Sequence, residues 1–134
     1  MQTQFLNPPT LCPTNGWTQV VTHSSAGKTI HVSGQVSVNE RGEVVGKGDL
    51  RAQAEQTFAN LQHALTAAGA TFHDVVKMNI YVVGLKPEQV PMLREIRARH
   101  INPQQPPAST LVGVAALVGA DWLIEIEVTA VQAA

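Results

Sequence analysis

The chain has 134 residues, of which 44% are apolar and only 14% charged, with a formal net charge of −1. That suffices for one domain (1–134) with its own core, and the near-neutral balance without a basic run excludes an electrostatic footprint for nucleic acid. The single cysteine, Cys12, excludes an intrachain disulfide and a zinc site built on thiolates.

Residues 1–16 hold three prolines and little periodicity, so they are expected to enter as an extended, loop-like segment. Trp17 to Thr22 reads as a short strand and Lys28 to Val38 as a second, carrying Ile30, Val32 and Val36. Asn39-Glu40-Arg41-Gly42 is a turn signal, with Gly42 free to take positive φ, and Val44-Val45 is a candidate third strand. From Asp49 to Ala68, Leu50, Ala54, Phe58, Leu61, Leu65 and Ala68 fall on one helical stripe, with Arg51, Glu55 and Gln62 off it. Asp49 suits the N-cap, and Gly69 suits the left-handed residue after the helix. Val75 to Val83 alternates Val76, Met78, Ile80 and Val82 against Lys77, Asn79 and Tyr81, the pattern of a strand. Pro87 opens a second helix running through His100, with Val90, Leu93 and Ile96 inward. Prolines force a loop from Asn102 to Pro107; Thr110 to Leu117 and Trp122 to Val131 complete the set as strands around a turn at Gly119.

The order β-β-β-α-β-α-β-β predicts an α+β fold, a single sheet with two helices on one face. The opposite face would carry Lys77, Asn79, Tyr81, Glu125, Glu127 and Thr129 beside apolar residues. So few charges on a small protein, with that face uncovered, imply packing against copies of itself. No apolar run reaches the ~20 residues needed to span a bilayer, and the first residues lack a charged segment followed by an apolar one. A cytoplasmic protein with no membrane partner is expected.

Several constellations are candidates for chemistry. Glu125 and Glu127, two apart on a strand, leave the same face roughly 6 to 7 Å from one another. Such a pair can divide into acid and base, or serve as interface charge. Gly34, within Ser33-Gly34-Gln35, interrupts an apolar strand, as bends and sites of close ligand approach do. Ser109 and Thr110 follow Pro106-Pro107, so their hydroxyls either converge on a ligand or satisfy the local backbone. None of the five histidines has metal-ligand spacing, and His100 at a helix end would meet the dipole favourably as a cation. No phosphate loop, dinucleotide fingerprint or Ser-x-Gly elbow occurs. Neither a metal nor a cofactor is expected.

Together, Val32-Ser33-Gly34-Gln35, Gly42-Glu43-Val44, Gln53 to Asn60 leading into Ala67-Ala68-Gly69, Asp74-Val75-Val76-Lys77, Pro107 to Ala115 and Ile124-Glu125-Ile126-Glu127 resemble the RidA family, also called YjgF or L-PSP endoribonuclease-like proteins. The resemblance runs from about Gly16 to Val131. It implies a chorismate-mutase-like domain forming a homotrimer, with small-molecule clefts between subunits. Family members of the deaminase type hydrolyse enamines and imines such as 2-aminoacrylate to a 2-keto acid and ammonia. In them, an arginine in a Pro-Ala-Arg-Ser segment grips the substrate carboxylate, and a glutamate on the last strand holds water. On that pattern Glu125 falls on the water-holding glutamate, and Ser33 and Gly34 on the pocket wall. Trp17 falls where a tyrosine is frequent, Met92 where an asparagine is, and Ser109 where the arginine stands.

The resemblance therefore implies a cleft protein whose ligand-binding set is Trp17, Ser33, Gly34, Met92, Ser109 and Thr110, with Glu125 as the catalytic residue. A serine hydroxyl cannot form the bidentate, charge-assisted pair that a guanidinium forms with a carboxylate, worth ~1.5 to 3 kcal/mol per bond. Efficient turnover of 2-aminoacrylate is accordingly not expected, unless Arg97 or Arg99 on the second helix reaches the cleft. A binding or chaperone-like module without chemistry is the alternative. RNA cleavage is disfavoured by the neutral charge and the lack of a basic, aromatic groove.

Overall fold

The computed structural model describes residues 2–11, 13–24 and 27–134, so Cys12 lies outside the described residues. Strands β1 (Gln2–Leu6) and β2 (Val20–Ser24) form a two-stranded antiparallel ribbon. A four-stranded sheet contains β3 (Gly27–Gln35), β4 (Val75–Val83), β5 (Ala108–Val114) and β6 (Ile124–Ala133), in the order β3-β6-β4-β5. Its pairings are antiparallel except β4–β5, and a parallel pair requires a crossover. Here the crossover holds α2 (Val90–Ala98), while α1 (Leu50–Ala67) connects β3 to β4.

Two helices on a mixed sheet make the α+β architecture read from the sequence, but the N-terminal part differs in detail. The first sixteen residues are not all loop, and Trp17 precedes its strand instead of opening it. The β1–β2 register, Gln2 opposite Ser24 through Leu6 opposite Val20, joins segments distant in the chain. Every residue of both strands is exposed or half-buried, so no apolar alternation announces them. The single sheet expected is thus a four-stranded sheet with a separate ribbon. Val44 makes one bridge, to Val38, in place of a third strand.

Elsewhere local chemistry sets the boundaries. The Asp49 side chain accepts a hydrogen bond from Ala52 N at 3.0 Å and caps α1; Gly69, at φ 75°, follows its end. The α1 stripe Ala54, Phe58, Leu61 and Leu65 packs with Met78, Ile80 and Val82 of β4 and Ile124, Ile126 and Val128 of β6, joined by Leu93 and Ile96 of α2. Pro87–Gln89 is a 3-10 turn, so the second helix proper begins at Val90. Along β6 buried residues alternate with half-buried Glu125, Glu127 and Thr129, which lie on the face the helices do not cover. No helix among the described residues is long and apolar enough to cross a membrane.

Candidate functional site

The loop before β2 is tied to the start of β5. Thr18 N donates to Pro107 O at 3.1 Å, Thr18 Oγ1 donates to Pro106 O, and Thr18 bridges Ala108 in parallel. Trp17 is thereby carried beside Ser109. In the β4–β5 register Ser109 stands opposite Met78 and Leu111 opposite Ile80. Directly paired residues share a face, so Ser109 and Leu111 look toward the helices. On α2, Arg97 follows Leu93 by four positions and lies on the same helical face.

These elements enclose a cavity of about 220 Å³. Trp17, Ile80, Leu93 and Leu111 form its apolar wall, and Ser109, Arg94 and Arg97 its polar part. Arg97 is only 6% exposed, and its Nε has no hydrogen-bond partner among the described residues. The ion pairs Arg41–Glu43, Lys47–Asp121, Arg51–Glu95 and Arg99–Glu55 leave Arg97 out. Burial, and secondarily Arg94, lower its pKa from the usual arginine value, as expected for a cation removed from water without a counter-charge. Ser109 Oγ is also buried without a partner among the described residues. Gly16, at φ +75°, passes the guanidinium so closely that a Cβ there would lie 2.9 Å from Arg97 Nη2. The positive φ favours glycine at this position.

Of the two arginines of the second helix that the sequence left open, Arg97 lines the cavity beside Ser109. Arg99 does not; its Nη2 donates to Glu55 Oε1 at 2.8 Å. The signal for Arg97 was its four-residue offset from inward Leu93, hidden because an arginine at such a position ordinarily reads as surface.

The remaining candidates lie apart from this cavity. Glu125 stands opposite Tyr81 on the uncovered sheet face. The strand irregularity between Val32 and Gln35 brings Gly34 against it, so that a Cβ on Gly34 would overlap the Glu125 carboxylate. Ser33 is exposed, and its carbonyl accepts from Gln35 Nε2 at 3.1 Å. Thr110 is exposed and registers with Asn79, which registers with Glu127 across the same face. Met92 is half-buried against the core and does not line the cavity. Glu127 is engaged, accepting from Tyr81 Oη at 2.6 Å and Asn79 Nδ2 at 3.3 Å. The structure thus gathers Trp17 and Ser109 on one side of the sheet, and Gly34 and Glu125 on the other. Among the described residues no three His, Cys, Asp or Glu side chains gather as metal ligands.

Residues 9–132 match the family described as Endoribonuclease L-PSP. Among curated relatives, the 2-iminobutanoate/2-iminopropanoate deaminase of Dermatophagoides farinae is 34% identical over 91 residues, 68% of this chain and 69% of the relative. The 3-aminoacrylate deaminase RutC of Acinetobacter baylyi is 31% identical over 119 residues, 89% of this chain and 86% of the relative. Among solved structures, the Rid-family protein YyfB of Yersinia pestis superposes with a TM-score of 0.88 at 39% identity, covering 98% of this chain and all of that one. The YjgF gene product of E. coli gives 0.66 at 32% identity, covering 81% and 84%. The chain belongs to the endoribonuclease L-PSP family, the RidA/YjgF group.

Proposed function

We propose that the protein is a homotrimer that hydrolyses small imines, or their enamine tautomers, in clefts between subunits. The observation that carries this reading is the division of the site. The Trp17–Ser109 cavity lies on the helix side of the sheet, whereas Glu125 stands on the uncovered side. One chain cannot bring the two together, but a second copy packing its open face over the first chain's cavity would supply Glu125. The names of the two deaminase relatives support the reaction class.

In this cleft the apolar wall holds the carbon skeleton, and Glu125 of the neighbouring subunit accepts a proton from water as its oxygen adds to the C=N carbon. The same proton passes to nitrogen, and the carbinolamine collapses to a carbonyl compound and ammonia. Proton transfer by a positioned carboxylate contributes ~10²- to 10⁴-fold.

The test supplies 2-iminobutanoate, generated in place by an amino-acid oxidase, and follows 2-oxobutanoate formation. Glu125→Gln should lower the rate above background at least ~100-fold, and sedimentation should give three times the 14.3 kDa chain mass. A monomer, or turnover indifferent to Glu125, overturns the proposal. Ligand binding without turnover in the wild type would leave the binding-module alternative.

A further inference from the structure

We infer that Arg97, reaching in from α2, is the anion anchor of this cleft, and that with Ser109 it holds the carboxylate of a small 2-oxo or 2-imino acid bearing a short apolar side chain. The location rests on the proposed cleft, but the binding does not depend on any reaction occurring there.

Three independent features converge on Arg97. It is an almost completely buried cation with an orphaned Nε, left out of the ion pairs of the described residues. A charge withdrawn from water without a partner does not stabilise a fold; it becomes favourable when an anion completes it. The second orphan in the same cavity is Ser109 Oγ, a neutral donor suited to a carboxylate oxygen. Finally, Arg94 adds positive potential to the lining, and the adjacent carboxylate, Glu95, is paired with Arg51 at 3.6 Å. Among the described residues two cations and no anion line this cavity, while Glu95 borders a second hollow with Arg94 and Arg97.

The rest of the lining narrows the ligand. Trp17, Leu93 and Leu111 offer no hydrogen bond except the indole N–H, so the side chain beyond the 2-oxo or 2-imino carbon should be apolar. At about 220 Å³ the cavity has room for a small molecule. The family pattern places the gripping arginine on the strand, at the position of Ser109. Here an arginine of the helix lines the same cavity, and the strand contributes only a hydroxyl.

Titration of the full-length protein with 2-oxobutanoate, and with butanone as its uncharged counterpart, tests this directly by calorimetry. Arg97→Met should weaken 2-oxobutanoate roughly ten- to hundredfold and leave butanone unchanged; Arg97→Lys should lose less. Adding Ser109→Arg to Arg97→Met should restore anion binding, which a merely structural Arg97 could not explain. Because an unpaired buried charge is being removed, Arg97→Met should fold with an unchanged or higher Tm. Equal 2-oxobutanoate affinity in Arg97→Met and the wild type overturns the inference, as does no wild-type binding at millimolar ligand. Loss of assembly with anion affinity retained would also overturn it, assigning Arg97 to the subunit interface. Product binding requires no turnover, so absent hydrolysis defeats the proposed function without touching this inference.

Discussion

Gln53, wholly buried on α1, accepts a hydrogen bond from Leu123 N at 2.9 Å, and its amide donates to Asp121 O at 3.0 Å and to Gly46 O at 3.2 Å. One side chain thus satisfies three backbone groups, two of them in the turn leading into β6, some seventy residues away. Replacing it with Leu keeps the volume but orphans those groups, each at about 1 to 3 kcal/mol where water cannot reach. Gln53→Leu should cost about 3 kcal/mol, read as a fall in the midpoint of urea unfolding at unchanged slope. Gln53→Glu, which sets a buried carboxylate oxygen against the Gly46 and Asp121 carbonyls, should cost at least as much. A loss under ~1 kcal/mol for the leucine variant would mean that water replaces the amide.

His100 does not serve α2 as a cation at its C-terminus, as its position in the sequence suggested. Its ring stacks on Phe58, with centroids 4.9 Å apart and planes at 7°, and lies 5.0 Å from Phe72. Burial pushes its pKa below the usual imidazole range, Arg99 adds to that, and Glu55 opposes it. The folded state therefore prefers neutral His100 more than the unfolded chain does. Its contribution is present above the unfolded value of about 6.5 and is lost as pH falls through the lower folded value. Acidification from pH 7 to 5 should lower Tm more in the wild type than in His100→Gln; parallel declines would discount the burial argument.

Legibility in the sequence followed the range of the interaction involved. β4 was readable to the residue, Val75 to Val83, because its alternation is local, and so were the Asp49 cap and Gly69. β1 escaped because its partner lies some twenty residues on and neither strand has a fully buried face. The site was half legible. Ser109 and Glu125 stood out by their place on the strands and Trp17 by the family pattern, but only the Thr18 bridge to Ala108 and the sheet register reveal which of them share a cavity. Arg97 was the hardest residue to assign, since helical spacing puts it beside Leu93 while its charge argues for solvent. Tertiary packing resolved that conflict in favour of burial.

The contact between Gly34 and Glu125 yields a substitution whose effects on folding and function should separate. A Cβ at Gly34 would meet the Oε1, Cδ and Cγ atoms of Glu125, the mobile outer part of a half-buried side chain. The carboxylate can swing away, so Gly34→Ala should destabilise by about 1 kcal/mol, the low end of overpacking costs. The displaced carboxylate would no longer address the cleft, and imine hydrolysis should fall as far as in Glu125→Gln. Full turnover in Gly34→Ala would show that Glu125 needs no fixed rotamer, or no role.

Tyr81 and Glu127 give the uncovered sheet face an alkaline limit. The 2.6 Å bond from Tyr81 Oη to Glu127 favours the protonated phenol and raises its pKa above the ordinary 10.0. Burial and the charges of Glu127 and Glu125 act in the same direction. A raised folded pKa means that the stabilisation is complete below the unfolded value of about 10 and disappears as pH rises through the folded one. Tyr81→Phe lacks the bond at every pH, so the wild type should exceed it in Tm at pH 8 by a margin that shrinks by pH 11. Every other residue is common to the two proteins, so the difference between the two melting curves is the quantity to measure. A margin that stays constant from pH 8 to 11 would show that the Tyr81 hydroxyl does not depend on Glu127.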